Sequence, residues 1–197
     1  MNDFYNVVRK RRMVRNYTDE PVPLETINRI LEAARKAPSA GFSQGQAMIA
    51  VTEATQRKAI AKIADEEKYL ARGMDPWISR APVHVIVCVS KKLYLERYAE
   101  SDKKDTPQND ENWPVPYWWV DAGATMMTLL LSAVAEGLSA GFLGSHRMPE
   151  LQDILGIPAH MKPIGIVTIG HPAPDRPSSS LSRGRRAVRE VIHHERW

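Results

Sequence analysis

Residues 122 to 136 are apolar on nearly every side of a helical wheel, and a helix of that kind has to be enclosed. A chain of 197 residues offers little core thick enough to surround it, so burial against another subunit is expected. The run is interrupted by Thr and Ser, ends at Glu136, and falls short of the eighteen or so apolar residues that a membrane span needs. Pro114 and Pro116 disfavour helix before Tyr117. Trp113, Tyr117, Trp118 and Trp119 crowd this entrance, and core, dimer contact and pocket wall are equally open to them.

Three further runs read as strands. Residues 46–52 are one; residues 83–89 are continuously apolar and therefore buried on both faces; residues 164–170 are the third. Between them the apolar spacing predicts helices over 3–11 with Asn2 or Asp3 as cap, over 24–34 ending before Pro38, and after a Thr55 cap with Ile60, Ile63 and Ala64 inward. Residues 93–100 and 149–155 complete the helices. The Gly-rich stretch 137–145 reads as a connection, and no G-x-G-x-x-G follows a strand, which excludes a Rossmann dinucleotide site. Residues 101–112 are polar and acidic, a surface insertion or lid; 173–182 is a Pro- and Ser-rich linker to a basic C-terminal arm. The order implies one domain over 1–197, an α/β or α+β sandwich with helices on both faces of one sheet. Cys88 and His84, inside the strand at 83–89, read as an inert core thiol and a satisfied core imidazole.

The net charge is only +4, but five of the 27 Lys and Arg residues fall in 9–15 and five more in 183–196. Arg11, Arg12 and Arg15 can meet Arg183 and Arg185 around one phosphate, since clustered guanidinium groups repel without an anion between them. Two separate solvated patches satisfy the charge equally well. The turn at 37–44, Ala-Pro-Ser-Ala-Gly-Phe-Ser-Gln, adds small residues that let backbone donors approach a ligand. Nucleic acid fits poorly: no recognised motif accompanies the arginines, and acidic residues at 100–111 oppose it. His193 and His194 lack a third ligand in register, so no metal is expected. Without a leader or span, a cytoplasmic location is the expectation.

The R-R-x-x-R end of the first helix, the A-P-S-x-x-x-S-Q turn, the Asp121-Ala122-Gly123 entrance, the G-L-x-x-x-x-x-G loop at 137–144, the G-x-P at 170–172 and the basic tail with Trp197 resemble, in order and spacing, the FMN-dependent nitroreductase superfamily. The resemblance implies a three-layer α-β-α sandwich with a mostly antiparallel sheet and domain-swapped arms, and a homodimer with FMN at its interface. It implies that Arg11, Arg12, Met13 and Arg15 flank the FMN, that Pro38, Ser39, Ala40 and Phe42 line it, and that Arg183 and Arg185 hold its phosphate, with Arg186 as a competitor. The backbone of Leu143 and Gly144 would meet the hydride-accepting ring nitrogen. No side chain is expected as nucleophile or general base. NAD(P)H would supply electrons to a flat aromatic acceptor, with Trp113, Tyr117, Trp118 and Trp119 as its wall; reductive dehalogenation or flavin cleavage is one alternative, and a flavin-storing dimer without turnover is another. Met13 and Phe42 stand where many relatives have Ser and Asn, which removes two polar contacts.

Overall fold

The computed structural model describes residues 4–103 and 113–197. The expected caps at Asn2 and Asp3 and most of the insertion at 101–112 lie outside them; Ser101–Lys103 forms one 3-10 turn.

Four strands make one sheet: β1 (Gln46–Val51), β2 (Val83–Val89), β3 (Ser139–Gly144) and β4 (Lys162–Gly170). The spatial order is β1-β2-β4-β3, and each neighbouring pair is antiparallel. Strand β2 alternates its side chains between two cores. Val83, Val85, Val87 and Val89 face a cluster with Ile27, Ile30, Leu129 and Leu130, while Ile86 and Cys88 face Ile60, Met148 and Leu151. Helices α2 (Leu24–Arg35), α6 (Lys91–Tyr98) and α7 (Tyr117–Ala135) supply the first side; α3 (Ala54–Ile63) and α8 (Leu151–Ile154) supply the second. Short helices α4 (Glu66–Leu70) and α5 (Trp77–Arg80) and the N-terminal α1 (Phe4–Lys10) complete the chain. The result is the expected three-layer α-β-α sandwich.

Two expectations need correction. The stretch at 137–145 is a strand at its centre, because its glycines admit neighbours that a side chain would exclude. A Cβ on Gly141 would lie 2.5 Å from the Val14 carbonyl oxygen. Thr55 is not the cap of α3: the helix starts at Ala54 behind an extended Glu53, with no side-chain cap.

Helix α7 begins at Tyr117, where the prolines release the chain. It buries one stripe, Trp118, Asp121, Ala122, Thr125, Leu129, Leu130 and Ala133, at helical spacing. Val120 and Met127 on the other side, and Trp119 in the first turn, stay exposed in the single chain. On length and composition this helix could cross a membrane, although its packed stripe makes it the core helix of this fold.

Candidate functional site

The arginine segment follows α1 and lies along the free side of β3. Met13 bridges to Ala140 in parallel fashion, and the Val14 amide donates to the Ala140 carbonyl (3.0 Å). Tyr17, 1% exposed, locks the segment: its hydroxyl donates to the Val14 carbonyl (3.0 Å) and pairs with Thr168 Oγ1 (2.8 Å). Burial pushes that phenol above its ordinary pKa, so it stays a donor. Asn16 Oδ1 accepts from the Arg80 guanidinium (2.8 Å), and its Nδ2 donates to the Pro174 carbonyl (2.8 Å). Arg15 is thereby fixed. Its amide donates to Asp175 Oδ2 (2.8 Å), and its guanidinium carbon lies 5.9 Å from the centroid of Trp77. The first residues of the expected linker at 173–182 are therefore pinned to the body by Asn16 and Arg15.

Arg15 lines a cavity of about 410 Å³ that shares Tyr69 and Arg72 with a second, of about 350 Å³, lined by Leu143 and Gly144. The two adjoin at Tyr69 and Arg72 and are together called the groove, whose lining includes Arg15, Lys68, Arg72, His146, Arg147 and Arg176. Its carboxylates are Asp65, Asp75 and Asp175, and Asp65 is paired with Lys68. Beside the groove the buried Trp77 indole nitrogen has no hydrogen-bond partner among the described residues. A positive groove with Leu143 and Gly144 at one end and the Arg15 guanidinium at the other suits a flat, phosphate-bearing anion such as FMN. Lys68, Tyr69, Arg72, His146 and Arg147 were not foreseen from sequence. Arg147 follows Gly144 by three positions, but only the fold shows that the Tyr69 and Arg72 segment faces it.

The other expected residues lie elsewhere. Ala40–Phe42 is one 3-10 turn in which Gly41 and Phe42 have φ of 62° and 57°, and Phe42 is 73% exposed. Ser39 Oγ accepts from the Gln44 amide (2.9 Å), and Gln46 Nε2 donates to the Pro38 carbonyl (3.0 Å), which ties the turn to the start of β1. Gly144 pairs with Gly165, Gly165 with Val87, and Val87 with Met48, so β3 and β1 are opposite edges, three interstrand steps or roughly 14 Å apart. The Ser39 turn lines its own cavity of about 530 Å³ and not the groove. One chain therefore does not bring the two halves of the expected FMN set together.

Arg11 and Arg12 follow α1, half-buried and exposed respectively. Arg183 and Arg185 lie on the exposed terminal arm, on either side of Gly184, and do not line the groove. Arg186 bonds the Glu190 carbonyl within that arm (2.9 Å). The tryptophans split. Trp113 and Trp118 are buried edge to face with each other (5.6 Å between centroids) and with Tyr94, so both are core rather than a wall of the groove. Tyr117 and Trp119 are exposed on α7. Among the described residues no three His, Cys, Asp or Glu side chains converge as metal ligands.

Residues 8–171 match the profile of the nitroreductase family. The FMN reductase (NAD(P)H) of Bacillus subtilis is 30% identical over 200 residues, covering 99% of this chain and 74% of its own. The iodotyrosine deiodinase of Nematostella vectensis is 27% identical over 199 residues, covering 92% of this chain and 71% of its own. The solved structure of B. megaterium NfrA2 superimposes with a TM-score of 0.78 at 23% identity, covering 100% of this chain and 76% of that one, a likeness of fold.

Proposed function

The chain belongs to the nitroreductase family, and on that premise we propose a homodimeric FMN enzyme that takes electrons from NAD(P)H and passes them by a ping-pong cycle to a flat acceptor such as a nitroaromatic or quinone. FMN binding and NAD(P)H oxidoreductase activity follow from the family and the FMN reductase relative. The observation that carries the finer reading is the placement of Arg15 and the Leu143–Gly144 backbone on one positive groove.

FMN when bound supplies the hydride chemistry. The protein's part is binding and electrostatics. Arg15, whose backbone is held by Asp175 and whose guanidinium lies near the Trp77 ring, presents a cation that favours negative charge on a group beside it. Arg72 and Arg147 give the groove further positive charge, which attracts an anionic electron donor. Arg11 and Arg12, with Arg183 and Arg185 of the arm, are the phosphate grip of this reading, although none of the four lines the groove within the single chain. The Pro38, Ser39, Ala40 and Phe42 turn reaches the groove only from a second copy, so two chains complete each site. The exposed arm from 178 onward and the bare side of α7 supply the contact surface for that copy.

The deiodinase relative favours one further reading, reductive removal of halide from a halogenated phenol at the same site. Halide release under anaerobic NADPH would select it over nitro reduction.

The test begins with the visible spectrum of the purified protein and chromatography of what heat releases. About one FMN per chain, bleached anaerobically by NADPH or NADH, is expected. A colourless protein that takes up no added FMN would overturn the assignment. Arg11→Ala should weaken FMN binding by about 10- to 100-fold, as for loss of a charge-assisted hydrogen bond, with the circular dichroism spectrum unchanged. Full retention of FMN would remove Arg11 from the phosphate grip.

A further inference from the structure

The Ser39–Gln44 turn is strained and held from outside. Gly41, Phe42 and Gln44 all have positive φ (62°, 57° and 50°), and two of the three are not glycine. That conformation is strained for a residue with a side chain, so something must hold it. The bonds inside the turn are two backbone contacts, Phe42 to Ser39 (2.8 Å) and Ser43 to Ala40 (3.1 Å), one from the Ser43 hydroxyl to the Ala40 carbonyl (2.6 Å), and one from the Gln44 amide to Ser39 Oγ (2.9 Å).

The outside holds come from α6 and α7. Asp121, in the second turn of α7 and 7% exposed, accepts two hydrogen bonds on one oxygen, Oδ2: from the Ala40 amide (2.8 Å) and from the Tyr94 hydroxyl (2.6 Å). Arg97 Nε donates to the Gly41 carbonyl (2.9 Å). The rings of Tyr98 and Tyr94 press on Gly41 and Gly45, where an added Cβ would lie 2.7 and 2.5 Å from them. A buried carboxylate is costly, and an apolar residue would pack α7 at lower cost. What Asp121 does that an apolar residue could not is fix the Ala40 amide.

We propose that Asp121 is a positioning residue for the FMN site: with Tyr94 it clamps the turn that a second copy receives into its groove. The inference rests on the FMN reading given above. It also takes the Ala40 amide out of the set of ligand donors, since that N–H is committed to Asp121. Ser39 and the exposed Phe42 are then what the turn offers to FMN.

The test is titration of flavin-free protein with FMN, followed by quenching of flavin fluorescence, beside the melting temperature of the flavin-free form. Asp121→Ala should raise the Kd by about 10- to 100-fold, the loss expected for a hydrogen bond to a charged acceptor. Asp121→Asn, which keeps an oxygen for the Ala40 amide, should recover most of that affinity. Tyr94→Phe keeps the ring packed and removes only the hydroxyl, so it remains informative if Asp121→Ala does not fold; a rise in Kd of about 3- to 10-fold is expected. In a double-mutant cycle Asp121→Ala and Phe42→Ala should be non-additive, because both act through one turn. Wild-type affinity in Asp121→Ala and Tyr94→Phe, or additivity with Phe42→Ala, would overturn the clamp. Failure of the wild type itself to bind FMN would instead overturn the function proposed for the groove.

Discussion

His84 is the second residue of β2, wholly buried, with Nε2 2.7 Å from the Ile78 carbonyl and Nδ1 without a partner among the described residues. Burial pushes its pKa from 6.5 down to about 4. Above pH 6.5 the imidazole is neutral in folded and unfolded chains alike. Between 6.5 and about 4 the unfolded chain takes up a proton that the folded chain refuses, so stability falls as the pH falls. Urea unfolding should therefore show the difference between wild type and His84→Gln shifting by roughly 2 to 3 kcal/mol against the wild type from about pH 7.5 to about pH 4.5. Equal shifts in both proteins would count against a buried neutral imidazole. Cys88 two pairs along the strand is similar in kind, its thiol pushed up to about 11 by burial. Both residues were legible in the sequence, because a continuous apolar run leaves its polar members nowhere to go but the core.

At the scale of the element, β3 shows what pattern reading misses. Ser-Ala-Gly-Phe-Leu-Gly has the composition of a turn, and its two glycines weaken a strand assignment. Here the glycine at 141 makes room for a neighbour, since the Val14 carbonyl occupies the space of a side chain. Gly141→Ala should cost about 1 to 3 kcal/mol in chemical unfolding, as overpacking does, and should also lower FMN content by moving the Arg15 segment off β3. A variant with unchanged stability and full FMN would show that the segment is not held there. Helix α7 teaches the converse. Its apolar character was plain from residues 122–136, while its first turn from Tyr117 and the division into a packed stripe and a bare one were not, because an all-round apolar pattern carries no phase.

For the whole molecule the bare stripe of α7 and the separated halves of the site make the same demand. Trp119, Val120 and Met127 are between 41% and 53% exposed, more apolar surface than a solitary helix face needs. In the proposed dimer a second copy would cover them and carry a Ser39 turn to the other groove. Trp119→Glu should convert a dimer to the 22.2 kDa chain in sedimentation velocity and should lose FMN in the same step. A dimer that survives the substitution would place the interface elsewhere, and a monomer that keeps full FMN would show that each groove is complete in one chain.

The sequence by itself determined most of the inventory: the main helices, three of the four strands, the two arginine clusters, the small-residue turn, and a family order that fixes the layers. Those properties are local, read from spacing and residue type. Tertiary structure alone decided which pieces meet. It put β4 between β2 and β3, so the turn before β1 and the backbone at the end of β3 became opposite edges of one sheet. It brought Tyr69 and Arg72 to Leu143, sent Trp113 and Trp118 into the core, and closed Asp121 over the Ala40 amide across 81 residues of chain. Such contacts depend on strand order and on which face of a helix is covered, and neither is written in any single stretch.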